Sequence, residues 1–422
     1  MRHSRWGVAA IGLGVTLLVG SVGFRAAAAP ALVRFPLNVD VTARYSGTAT
    51  TYVDQKTLLP LAHPKSEPLQ ISRHVKAVSG TFSKAVVDET VTVKTPSLRT
   101  VETYQYVIDR RTMQMVSDPR QIAFGDPKAV MHAAPGSYRV NFSMGTKANG
   151  SYLAFIPEAD VTSHLVLVRG LHSHPGVNLP VMDFVSNVTK PVAPYYLKHL
   201  QAMGLPMQIT GAQLEPQLIA AGIDVNQALA DVGPHLTAAG KKLISKVLAT
   251  PVKLNYFFID NGTVSIEPKT GALIDVHAQR QGISVQPDLS GIGILAPLLN
   301  EYISIPSVKA LSVGLSKLAM RPAQIAESYT YTETVPSSLA AAHDARTNQH
   351  MMTLVERQIP WAMALLGALL LAAGLVVVRR SRRRGPGVEG PTEATPEPVA
   401  IPPLPPEPVP VGVGSNRTHE GV

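Results

Sequence analysis

Apolar side chains follow three different periods along the chain, and each period predicts a different element. Two unbroken, uncharged apolar runs stand near the chain ends, residues 6–24 and 359–378, of 19 and 20 residues. At a rise of ~1.5 Å per residue either run reaches about 28–30 Å as a helix, the thickness of a bilayer's hydrocarbon core. Both predict transmembrane anchors. From about residue 32 to 188 the pattern alternates with period two between turn-forming residues, as at 39–45, 90–94, 103–108 and 165–168, which predicts half-buried strands. Residues 193–250 lose this alternation. Rich in Ala, Leu and Gln, they predict helices over 212–221, 223–232 and 235–249, punctuated by Gly222, Gly233 and Pro234.

Alternation returns at 253–259 and 263–266. The Asn261-Gly262 pair between them predicts a tight hairpin, because Asn-Gly readily adopts the positive φ such a turn needs. Residues 288–320 are apolar and rich in Leu and Ile, broken by Gly291, Gly293, Pro297 and Pro306. Residues 328–335 alternate once more, and a helix over 337–357 is expected to run into the second anchor. The expected fold class is therefore α+β: a mainly antiparallel β extracytoplasmic domain with an inserted helical subdomain, flanked by two transmembrane helices. Its divisions are an anchor at 1–25, a β-rich region at 26–192, a helical insertion at 193–250, and hairpins with an apolar helical segment at 251–335. A helix entering the second anchor follows at 336–378, then a basic and Pro-rich disordered tail at 379–422.

Charge sharpens the placement. Arg2 and Arg5 precede the first run, while Arg379, Arg380, Arg382, Arg383 and Arg384 follow the second. The positive-inside rule then expects both termini in the cytoplasm and the central domain outside the cell membrane. Trp6 and Trp361, the only tryptophans, lie near ends of the runs, where an amphipathic indole prefers the interface. A cleavable signal peptide ending at Ala26-Ala27-Ala28-Ala29 is the alternative for the first run; Arg25 and Pro30 beside the cut favour a retained anchor. Of the formal +9, residues 1–25 hold +3 and the tail +1, leaving a modest +5 between. Much of the basic character is thus topological, and a nucleic-acid partner is not expected.

Composition narrows the chemistry. With hydrophobic residues at 45% and charged ones at 16%, the chain can bury a core. The absence of Cys excludes a disulfide framework, a Cys-ligated metal site and a Cys nucleophile. No G-x-S-x-G elbow, no S-x-x-K with its companion motifs and no Walker loop occurs. No enzyme activity and no cofactor are expected. His172-Ser173-His174 is the one close histidine pair, and on a strand both rings would face one side. His172 and His174 are thus weak metal candidates. No Asp or Glu stands between 161 and 182, Asp183 is the nearest carboxylate, and solvated loop histidines are the default expectation.

One short pattern occurs three times: Val53-Asp54-Gln55-Lys56-Thr57, Ile108-Asp109-Arg110-Arg111-Thr112 and Ile266-Glu267-Pro268-Lys269-Thr270. It predicts a turn in which the carboxylate caps backbone N–H groups and a neighbouring base offsets its charge. Together with the two anchors, the β-rich middle, Tyr106-Val107-Ile108-Asp109-Arg110-Arg111-Thr112, Val264-Ser265-Ile266-Glu267-Pro268-Lys269-Thr270-Gly271 and the arginine cluster, these turns resemble the actinobacterial porin PorA-like family of unknown function. The resemblance covers most of 1–384, with 193–250 and the tail matching poorly. It implies a cell-envelope membrane protein without agreed catalytic residues.

A lipid-spanning barrel is not what the residues themselves predict: aromatics are only 5%, and the two apolar runs are helical. The expected role is a non-enzymatic envelope component that binds or conveys an apolar or lipid-like ligand, or scaffolds partners. The 288–320 stretch is the candidate lining of an acyl groove, or else a plain covering layer over the sheet. The alternatives are a porin-like channel component and a metal-dependent hydrolase at His172 and His174. The bilayer is the expected partner, and Pro402-Pro403-Leu404-Pro405-Pro406 makes a cytoplasmic Pro-binding protein a candidate partner for the tail.

Overall fold

A computed structural model describes residues 2–29, 33–54, 57–220 and 222–383. The Pro-rich tail, Arg384, Gln55-Lys56 of the first repeated turn and the side chains of Arg2, Arg5 and Trp6 lie outside the described residues. Two compact units are present: residues 2–18 with 365–383, and Val19–Ala364.

The smaller unit holds most of the two apolar helices, α1 (Arg2–Gly23) and, last in the chain, α9 (Ile359–Arg383). Both are long and apolar enough to cross a membrane. Their backbones meet at a pair of glycines: a methyl added to Gly14 would lie 2.7 Å from Gly367 O, and one added to Gly367 would lie 2.8 Å from Gly14 O. Only hydrogen at these two positions permits that approach, as small residues do in packed membrane helices.

Among the described residues the larger unit is built on a thirteen-stranded sheet. In chain order its strands are β1 (Asp40–Val53), β2 (Pro60–Gly80), β3 (Lys84–Lys94), β4 (Arg99–Asp109), β5 (Ile122–Ala123), β6 (Ser137–Tyr138), β7 (Tyr152–Ile156), β8 (Val161–Ser173) and β9 (Pro180–Pro191). Helix α2 (Pro194–Ala202) follows, then β10 (Gln208–Ile209), α3 (Gly211–Ala220), α4 (Val225–Val232) and α5 (Ala238–Ala249). The chain continues through β11 (Val252–Ile266), β12 (Leu273–Pro287), α6 (Ala296–Glu301), α7 (Pro306–Ala319), β13 (Gln324–Glu333) and α8 (Val335–Thr353).

The sheet order is β5-β4-β3-β2-β1-β13-β12-β11-β9-β8-β7-β6, with β10 paired to β11 off this path. All these pairings are antiparallel except β6 with β7. First and last long strands are neighbours, with Tyr45 opposite Glu333, and Thr334 N donates to Arg44 O at 2.8 Å. The chain therefore enters and leaves the sheet at one end.

The sheet curls into a half-barrel. Tyr196 on α2 shows why a flat arrangement is excluded. Its hydroxyl donates to Glu102 on β4 at 2.9 Å, while its ring meets Phe258 on β11 with centroids 6.3 Å apart. In a flat sheet those strands, six places apart, would be separated by about 29 Å. One face of the sheet thus closes around a core that includes Tyr104, Tyr106, Phe155, Phe184 and Ile266, each at most 2% exposed.

Four expectations are met with longer elements: all but the first residue of 39–45 lies in β1, 90–94 in β3, 103–108 in β4 and 165–168 in β8. The helices expected over 212–221, 223–232 and 235–249 appear as α3, α4 and α5. The expected hairpin at Asn261-Gly262 is corrected. β11 runs straight through it as a 15-residue strand, with only a bulge between Asn261 and Gly262. On one side Asn261 and Gly262 pair with Asn187 and Ser186 of β9, and on the other with Arg280 and Ala278 of β12. A reversal would forfeit both ladders, so long-range pairing overrides the local turn preference.

Reversal occurs instead at the repeated acid-x-x-Thr turns, which the structure bears out. Asp109 Oδ1 accepts from Arg111 N at 2.9 Å and Thr112 N at 2.7 Å, and Glu267 Oε2 accepts from Thr270 N at 2.7 Å and Thr270 Oγ1 at 2.6 Å. Asp54 Oδ1 accepts from Thr57 N at 2.8 Å. In each turn the residue after Thr takes a positive φ: Leu58 at 55°, Met113 at 62° and Gly271 at 74°. The offsetting base is not seen in the two turns where it is described. Arg111, the base of the second turn, forms no ion pair among the described residues, and Lys269 of the third donates its Nζ to Thr353 Oγ1 at 2.7 Å.

Candidate functional site

The apolar positions of α3, α4 and α5 repeat every three to four residues and face inward, so these short helices cannot bury them alone. They share that surface with α6 and α7 from the distant 288–320 stretch. Between the two groups lies a cavity of about 280 Å³, close to the lower end of the ~300–1,000 Å³ range of small-molecule pockets. Leu218, Val232, Ile244, Leu248, Leu298 and Leu311 line it. The polar residues of its lining, Glu215, Asn226 and Tyr302, each take part in a hydrogen bond. Asn226 Nδ2 donates to Glu215 Oε1, and Tyr302 Oη donates to His235 O at 2.9 Å. Val308 and Leu311 of α7 are also buried, so the stretch both covers and lines.

A second constellation, unforeseen from sequence, lies within the curled sheet. Glu89 on β3 is fully buried and receives Arg73 Nε from β2, Arg139 Nε at 3.0 Å and Tyr106 Oη from β4 at 2.6 Å. Burial pushes the Glu89 carboxyl up, but Arg139 and Arg73 outweigh it and hold it at about 2. Close by, Glu102 accepts from Tyr104 Oη at 2.8 Å and from Tyr196 Oη at 2.9 Å. Glu158 has the opposite fate. Burial raises its carboxyl to about 8, Arg139 opposing and Glu102 and Glu89 adding to the rise. A buried charge that is paired persists, whereas an ill-paired one takes up a proton.

The signal for this network was present in the alternation. Arg73 occupies the apolar phase of β2 beside Ile71 and Val75, and Glu89 the apolar phase of β3 between Val87 and Val91. Two opposite charges in the inward phase of adjacent strands are best placed facing each other.

The histidine pair is not solvated. His172 lies in β8 with its side chain 12% exposed and Nε2 3.3 Å from Asp183 Oδ2; His174, 15% exposed, has Nε2 3.3 Å from Asp275 Oδ2. Asp183, Ser265 and Asp275 stand side by side across β9, β11 and β12, and Ser265 Oγ donates to Asp183 Oδ1 at 2.7 Å. The other ring nitrogens face Gly170 O at 2.9 Å and Pro175 O at 2.8 Å. The two histidines thus engage different carboxylates. Among the described residues no group of three or more His, Asp or Glu is placed to hold a metal ion. Arg346 of α8 covers the same loop, donating to Asn178 O at 3.2 Å.

Residues 6–376 match the family model described as Porin PorA, so the chain belongs to that family. No curated protein matches the chain.

Proposed function

We propose that this Porin PorA family member is a membrane-associated, non-enzymatic envelope protein that takes up an apolar, lipid-like chain between α3–α5 and α6–α7. The cavity of about 280 Å³ carries the reading: its walls are aliphatic and its few polar neighbours are already hydrogen-bonded. An apolar ligand there removes hydrocarbon surface from water without stranding a polar group. The two apolar helices keep such a site near its ligand's source. The test is titration of the full chain in detergent with a fluorescent polyene fatty acid. Saturable binding weakened tenfold or more by Leu298→Trp, which fills the cavity, is expected; binding indifferent to that substitution overturns the reading.

The family match favours a channel component as the second reading. The concave face of one chain is filled by Tyr104, Tyr106, Phe155 and Phe184, so a water path needs several copies. Planar-bilayer recordings without conductance steps would remove it.

A further inference from the structure

Both apolar helices carry a π-helical turn at the end nearer the β-rich region, Phe24–Ala28 after α1 and Leu354–Gln358 before α9. A π turn inserts one residue into the helical ladder and is frequent at functional sites. Each turn here presents an arginine, Arg25 in the first and Arg357 in the second. The helical segments stay close at this level, a methyl added at Gly20 reaching 3.5 Å from Met363 Cε. Between them opens a groove of about 500 Å³, lined by Ser21, Val22, Arg25, Glu356, Arg357 and Trp361 among others. Both arginines are exposed. Neither forms an ion pair among the described residues, and the same holds for Glu356.

We propose that this groove binds the phosphodiester of a membrane phospholipid. Guanidinium groups match phosphate oxygens in geometry and charge. Two arginines and one glutamate leave a single positive charge, which one phosphodiester neutralises. Position supplies the rest. The groove sits where each apolar run ends, at headgroup depth if the helices span a bilayer, and basic pockets between membrane helices are suited to anionic headgroups. Trp361, 67% exposed, stands beside it with an indole suited to that interface. The acyl chains would lie along Val22 and the start of α9. This site is separate from the apolar cavity and does not depend on it.

Trp361 also provides the readout. Trp6→Phe leaves it as the sole tryptophan of the full chain, which is purified in a non-ionic detergent. Phosphatidylglycerol with brominated acyl chains should quench Trp361 saturably and at lower concentration than diacylglycerol carrying the same chains. The variant Arg25→Gln/Arg357→Gln should weaken that quenching tenfold or more, and Arg25→Lys/Arg357→Lys should restore most of it. Reversal of quenching by millimolar inorganic phosphate would show that free phosphate also occupies the site; failure to reverse it would identify the lipid as the source. Equal quenching by diacylglycerol and phospholipid, or quenching unchanged by Arg25→Gln/Arg357→Gln, overturns the proposal.

Discussion

Tyr106 Oη donates to Glu89 Oε2 at 2.6 Å inside the half-barrel, joining β4 to a carboxylate that Arg73 and Arg139 already hold. The hydroxyl completes a charge cluster drawn from three adjacent strands and the loop after β6, so it ties the register of those strands to a single buried anion.

Removing that anion should be costly. Glu89→Gln leaves two mostly buried guanidinium groups, Arg73 at 16% and Arg139 at 21% exposed, without their counter-charge, so the cost should fall toward the lower end of the about 3–5 kcal/mol of a broken buried ion pair. Tyr106→Phe strands one acceptor lone pair and should cost about 1–3 kcal/mol. Urea unfolding followed by far-ultraviolet circular dichroism of the full chain checks both, and the order Glu89→Gln above Tyr106→Phe is the expected outcome.

The two buried carboxylates give stability opposite pH dependences. Glu89 is held at about 2, below its ordinary 4.5, so its contribution is complete above 4.5 and is lost as pH falls toward 2. Glu158 is raised to about 8, so its contribution is complete below 4.5 and is lost as pH rises from 4.5 to 8. Melting temperatures across this range should show that Glu158→Gln flattens the alkaline limb and leaves the acid limb in place. An alkaline limb unchanged in Glu158→Gln would contradict the assignment.

Gly271 closes the third repeated turn at φ 74°, and a methyl there would lie 2.1 Å from Phe142 O. Gly271→Ala should therefore destabilise by more than the ~1–2 kcal/mol that left-handed backbone alone costs. Gly125, at φ 64° with nothing within 4 Å, is the control whose alanine variant should show only that smaller cost. Thermal unfolding of the two variants side by side decides the comparison.

The glycine contact between α1 and α9 can be read by its loss. A Cβ added at Gly14 would lie 2.7 Å from Gly367 O and 2.9 Å from Leu371 N, so Gly14→Leu should force the two helices apart and weaken their packing. Gly12→Leu is the control, because nothing lies within 4 Å of a Cβ at position 12. Thermal unfolding of the full chain in detergent checks both, with only Gly14→Leu expected to lower the melting temperature.

Orientation has its own test. If both helices span the membrane as the arginine distribution implies, Ser4→Cys and Ser381→Cys should be labelled from the same side and Ser97→Cys from the other. Labelling of all three from one side of sealed vesicles would refute that topology.

Legibility followed the range of the interactions involved. The repeated turns were readable because carboxylate, backbone N–H and Thr hydroxyl lie within five residues, and Asp109 and Glu267 close them as their spacing requires. β2 was harder to see. Pro60, Pro64 and Pro68 interrupt its first half, and Arg73 breaks its apolar phase, so its identity as a strand comes from β1 and β3 on either side. For the apolar cavity, both walls were visible as helical segments, but nothing local indicated that 212–249 and 288–320 would face each other. His172 and His174 were legible as a pair, not as two partners of separate aspartates on neighbouring strands.

By itself, the sequence determined the two apolar helices, the β-rich character between them and the local turns, since each depends on unbroken apolar length, period or contacts a few residues apart. Tertiary structure alone decided that Asn261-Gly262 stays extended, that Arg73, Glu89 and Arg139 form one buried cluster, and that Arg25 and Arg357 share a groove. In each case the deciding partners are brought together only when the sheet curls or the helices pair, and the energy of that association exceeds what local preference can specify.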